Sequence, residues 1–83
     1  MKSYLVELYQ PAGSGNGPAG VQRAREAAAQ LTHEGTQVRY VRSIFIPDDE
    51  TCFHLFEGIL VEVIGKASRR AALDYDRIVE VLQ

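Results

Sequence analysis

V-R-Y-V-R-S-I-F-I-P-D-D-E-T-C-F-H-L-F-E, residues 38–57, decides the fold. Two runs rich in β-branched and aromatic residues flank Pro47-Asp48-Asp49-Glu50. Proline presets φ for a turn, and acidic side chains hydrogen-bond turn backbone. The stretch therefore reads as a β-hairpin with a four-residue loop. Such a loop pairs Ile46 with Thr51, Ser43 with His54, Arg42 with Leu55, Val41 with Phe56 and Tyr40 with Glu57. One face of the hairpin then holds Val41, Ser43, Phe45, Cys52, His54 and Phe56. The other holds Tyr40, Arg42, Ile44, Phe53, Leu55 and Glu57.

Working outward, residues 3–9 alternate as a strand, with Tyr4, Val6 and Leu8 on one face and Leu5, Glu7 and Tyr9 on the other. A Gly- and Pro-containing loop follows. A helix is expected from about Pro18, where the missing N–H costs nothing, to about Glu34. Val21, Ala24, Ala28 and Leu31 form its apolar face, and Gly35 is its left-handed stop. Beyond the hairpin, Ile59 to Ile64 have strand propensity, but Leu60, Ile64, Ala67 and Ala71 make one helical stripe. That spacing predicts a helix over about 60–72, and residues 74–82 supply a last strand. The order strand, helix, strand, strand, helix, strand predicts a single α+β domain over 1–83, a ferredoxin-like βαββαβ sandwich. Its four-stranded antiparallel sheet has the first and third strands at the centre and two helices on one face.

Composition narrows the partners. The 83 residues are enough for one domain, and 46% of them are hydrophobic. A formal charge of −2 argues against nucleic acid as the main partner, which usually meets a basic surplus. Phe53 and Phe56 fall on opposite hairpin faces, unlike the base-stacking aromatics of RNA-binding modules of this topology. Cys52 is the single cysteine, which suits a reducing compartment, and no apolar run is long enough to span a bilayer. The expectation is a soluble cytoplasmic protein with no membrane partner. Two helices cover only one face of the sheet, so the other would show Ile44, Phe53 and Leu55 to water. A second copy of the same face would bury them, making the chain its own partner in a homodimer.

Three groups of residues carry possible chemistry. Gly15-Asn16-Gly17-Pro18-Ala19-Gly20 has the spacing of a phosphate-cradling loop, but Pro18 has no N–H to offer, and a connector is the plainer reading. Cys52 and His54 share a face and could reach one metal with Glu7 or His33, or act as a thiol–imidazole pair. A metal usually needs three or four ligands and a nucleophile needs an aimed base, so a buried thiol beside a hydrogen-bonded histidine is the simpler expectation. Glu7, Tyr40, Arg42 and Glu57 are the candidate ligand-binding set. Charged residues in mid-strand are costly unless paired, and on one open face they would furnish a dimer cleft for a small polar ligand or an interface ion-pair network. Arg is the natural partner of a desolvated carboxylate, so Glu7 is expected to pair with Arg42, within a subunit or across the dimer.

The segments V-R-Y-V-R-S-x-F, E-T-C-F-H-L-F-E and R-R-A-A-L-D-Y-D-R-I-V-E resemble a family of small bacterial ferredoxin-like proteins of unknown function, sometimes labelled nickel-binding-protein-like. The resemblance runs from Tyr4 to Val81 and is weakest at the glycine loop. It implies subunits that pair sheet to sheet, as in dimeric α+β barrels. In the nickel-labelled branch it implies a histidine near the end of the first strand and a His-x-x-x-His in the second helix. Here those positions read Leu8, Ala67 and Ala71, none of which can ligate a metal. The expected function is a small-ligand-binding dimer, with a nickel or other transition-metal protein as the alternative.

Overall fold

The computed structural model describes residues 1–11 and 20–82. The elements run β1 (Lys2–Tyr9), α1 (Val21–His33), β2 (Val38–Ile46), a 3₁₀ turn (Pro47–Asp49), β3 (Thr51–Gly58), α2 (Val61–Arg70) and β4 (Arg77–Val81). The sheet is antiparallel in the order β2-β3-β1-β4, so β1 and β3 are central. This is the ferredoxin-like βαββαβ fold. The glycine motif over residues 15–20 and the expected helix start at Pro18 lie, apart from Gly20, outside the described residues. No helix among the described residues is long and apolar enough to cross a membrane.

Both helices lie on one face because both are apolar on one side only. Ala24, Ala27, Ala28 and Leu31 of α1, with Ile64 and Ala67 of α2, close over Tyr4, Val6 and Phe56 in one buried cluster. Alanines dominate these contacts, so the helices sit close to the sheet and little volume is wasted. Leu60, expected in the stripe, is the N-cap of α2 and is exposed. Its backbone is extended, which places its side chain off the helical face. The ends of α1 and α2 are tied by Arg23, whose Nε donates to the Ala71 carbonyl at 2.8 Å. The buried hydroxyl of Ser68 is satisfied by the Ile64 carbonyl at 2.8 Å.

Each helix ends in the same capping arrangement. In α1, Thr36 N–H bonds the Leu31 carbonyl and Gly35 N–H the Thr32 carbonyl, with Gly35 at φ 101°. In α2, Leu73 N–H bonds the Ser68 carbonyl and Ala72 N–H the Arg69 carbonyl, but the left-handed residue is Ala72, at φ 56°. An L side chain there costs about 1–2 kcal/mol, partly offset in glycine by the entropy of its unfolded chain. Ala72→Gly is expected to stabilise the protein by about 0.5–1 kcal/mol in urea unfolding. A loss of stability would show that the exposed methyl of Ala72 makes contacts worth more than the strain.

The hairpin departs from the expected register at one point. Ile46–Thr51, Ser43–His54 and Arg42–Leu55 pair as expected, but Tyr40 lies opposite Phe56 and Arg39 opposite Glu57. Val41 is an extra residue, a β-bulge between Tyr40 and Arg42. A bulge sets two residues against one, so everything before it changes face. Tyr40 therefore sits on the helix-covered face, packing against the core cluster, and not beside Arg42 and Glu57.

Candidate functional site

The registers assemble the uncovered face of the sheet row by row. Arg42, Leu55, Leu5 and Val79 form one row across the four strands; Ile44, Phe53, Glu7 and Arg77 form the next. Arg39, Glu57, Ser3 and Val81 make a third, on the side nearer the chain start. The centre is apolar and the polar groups lie around it. Ile44 is exposed, as expected, whereas Leu55 is 5% exposed. Leu55 stands on a central strand between the side chains of Arg42 and Leu5, and long neighbours on both sides screen it.

Glu7 and Arg42 share this face, but they do not pair. They stand two strands and one row apart, and Glu7 instead meets the residue directly opposite it on β4. Arg77 Nε donates to Glu7 Oε1 at 2.8 Å. Glu57 is likewise taken by its own cross-strand neighbour, with Arg39 Nε and Nη2 reaching Oε1 at 2.9 and 2.8 Å. The arginines of both pairs are largely exposed, so the pairs set side-chain positions more than they stabilise the fold. Arg42 has no hydrogen bond or ion pair among the described residues. Of the four candidate residues, then, Glu7, Arg42 and Glu57 share the open face and Tyr40 does not. Arg39 and Arg77 were missed. Their signal was register alone: each stands opposite a carboxylate once the bulge and the last strand are placed.

The covered face holds the second group. Cys52 and His54 share it, as expected, and both are fully buried. His54 Nδ1 lies 2.6 Å from Ser43 Oγ, which in turn lies 2.6 Å from the Tyr40 hydroxyl. On the other side of the ring, Nε2 is 3.8 Å from Cys52 Sγ. The bulge makes this chain possible, because it brings Tyr40 to the side of the sheet where Ser43 and His54 already point. Edge-on packing of Tyr40 against Phe56, with centroids 5.7 Å apart, holds the phenol in place.

Burial pushes the Cys52 thiol up to about 11, from an ordinary 9.0. A thiol that keeps its proton at neutral pH is a poor nucleophile and a poor metal ligand. Leu8, the residue opposite Cys52, is buried and apolar, as are Ala67 and Ala71. Among the described residues no three His, Cys, Asp or Glu side chains are gathered as a metal would require. The thiol also links stability to pH. Its pKa is higher folded than unfolded, so its contribution is complete below pH 9 and is lost as pH rises towards 11. Between those values the protein is expected to lose on the order of 1–2 kcal/mol more than Cys52→Ala does, measured by urea unfolding. Parallel declines in the two proteins would mean that the thiol ionises freely in the native state.

No family model matches the chain, and no curated protein matches it. A solved structure does: SCO4226 from Streptomyces coelicolor A3(2), 20% identical, similar over 98% of this chain and 96% of that one, with a TM-score of 0.69. The two chains share a fold. At that identity the likeness extends to the backbone and not to the side chains of a site.

Proposed function

We propose that the protein works as a homodimer that pairs sheet to sheet and holds a small polar ligand between the two open faces. Glu7, Arg42 and Glu57, with Arg39 and Arg77 beside the two carboxylates, are the charged groups facing that space. The observation that carries this reading is the make-up of the open face. Leu5, Ile44, Phe53, Leu55 and Val79 form its apolar centre; its carboxylates Glu7 and Glu57 are already paired, while Arg42 has no partner among the described residues. A second copy covers the apolar centre. An unpaired guanidinium drawn between two sheets calls for an anionic or hydrogen-bond-accepting group, which a ligand can bring.

The resemblance noted in the sequence supports the same pairing of sheets. Its nickel-binding branch is the weaker reading, because Leu8, Ala67 and Ala71 stand buried and apolar at the histidine positions. A single buried thiol fits the reducing conditions of the cytoplasm.

Light scattering at micromolar concentration tests the dimer. The chain, 9.2 kDa alone, should have twice that mass, and Ile44→Glu should return it to a monomer with unchanged circular dichroism. Ile44 is 44% exposed, so a charge there is tolerated by the fold but not by a buried interface. A parent protein that remains monomeric would overturn the pairing. For the ligand, Arg42→Met should keep the dimer and lose the thermal shift given by small carboxylates or phosphates.

A further inference from the structure

A groove of about 680 Å³ runs along the molecule where α1 passes the edge strand β2. It exists because α1 turns Ala28 and Ala29 towards β2, and methyl groups leave room where larger side chains would fill it. Val38 and the ring of Tyr40 complete the apolar floor. The basic side chains lining the groove are Arg25, His33 and Arg39; among the described residues no Asp or Glu lines it.

We propose that this groove binds a small organic anion with a flat apolar body, of the aromatic carboxylate class, with Arg25 as its anchor. The volume lies in the range of small-molecule sites. The Tyr40 ring is a rigid wall, fixed by Phe56 at its side and by the bond from its hydroxyl to Ser43. The Arg25 guanidinium lies 5.3 Å from the centroid of that ring, so charge and aromatic surface are already set side by side. Among the described residues its one side-chain hydrogen bond is a long one, 3.5 Å to Gln22, which leaves the planar fork available to a carboxylate. Arg39 is held by Glu57 and contributes field more than contact. His33 makes no hydrogen bond among the described residues and stands at the other end of the rim. A ligand with an apolar body fits the floor, and a negative group fits the rim. Apart from Arg39, which borders both surfaces at the sheet edge, the lining lies on the helix-covered side of the sheet, away from the proposed dimer face.

The experiment is a titration of the ¹⁵N-labelled chain with 2-naphthoate and, separately, with 2-naphthamide, which has the same ring system and no charge. Naphthoate should shift the amides of Ala28, Ala29, Val38 and Tyr40 and bind at least about tenfold more tightly than the amide. Arg25→Gln should weaken naphthoate by about tenfold and leave naphthamide unchanged. Ala29→Trp, at an exposed position, should fill the groove and abolish both while the spectrum stays folded. Equal binding of the two compounds, or indifference to Arg25→Gln, would overturn the anion assignment. No shifts, or shifts confined to other residues, would overturn the groove. Groove shifts that appear with protein concentration alone would make a second copy the occupant and overturn the proposal. Ile44→Glu should bind naphthoate as the parent does, which separates this site from the dimer face.

Discussion

His54→Ala is expected to lower the stability of the protein by about 3–5 kcal/mol, a large share of what a domain of this size possesses. The imidazole is fully buried, so its removal leaves a cavity that the flat sheet beneath cannot collapse to fill. It also leaves the Ser43 hydroxyl, 2.6 Å from Nδ1 in the parent, facing that cavity. Ser43→Ala is the informative companion. It removes one small group from the chain of hydrogen bonds and should cost about 1–2 kcal/mol, since the ring itself still fills its space. The two variants should not add, because both break the same Ser43–His54 bond. Urea midpoints at one fixed protein concentration measure all three, the concentration being held because dimerisation would shift them. A loss below about 1 kcal/mol for His54→Ala would mean that water replaces the ring at little cost, and the histidine would lose its place as a core element.

Gly20→Ala should cost about 2–3 kcal/mol, well above an ordinary surface change. Gly20 caps α1 with φ 83°, and its carbonyl accepts the first helical bond, from Ala24 N–H at 2.7 Å. Two penalties combine there. A left-handed L-residue costs about 1–2 kcal/mol, and a methyl would lie 2.6 Å from Leu73 Cδ2, inside the buried core. Gly35→Ala separates the two. Its φ is 101°, and nothing stands within 4 Å of the methyl, so it bears the conformational penalty alone, about 1 kcal/mol. Equal losses for the two variants would show that Leu73 moves aside freely and that the approach of α1 to the chain after α2 is looser than it looks.

The fold was legible because its punctuation is local. Pro47 to Glu50 close the hairpin, Gly35 stops α1, and alternation in residues 3–9 separates Tyr4, Val6 and Leu8 from Leu5, Glu7 and Tyr9. Even the ambiguous segment after Gly58 resolved correctly, since Ile64, Ala67 and Ala71 share a helical face despite the β-branched residues around them. The site was legible only in part. Whether Glu7 meets Arg42 or Arg77 depends on which strands are neighbours and in what register, and neither is written near Glu7 in the chain. The position of Tyr40 depends on Val41, and nothing about a valine between a tyrosine and an arginine announces a bulge. Bulges are set by the fit of two strands to one twisted surface, a property of the assembled sheet.

That one extra residue also sets how the strand responds to change. Before Val41 the core-facing positions of β2 are even-numbered, Val38 and Tyr40; after it they are odd-numbered, Ser43 and Phe45. A saturation scan along β2 should therefore show sensitivity that alternates, skips a beat at 41, and resumes in the opposite parity. Deleting Val41 would restore a single phase and leave Tyr40 opposite Phe56, still facing the core. Inserting a residue anywhere else in the strand would break it. The strand behaves as two short phrases in different time, and Val41 is the rest between them.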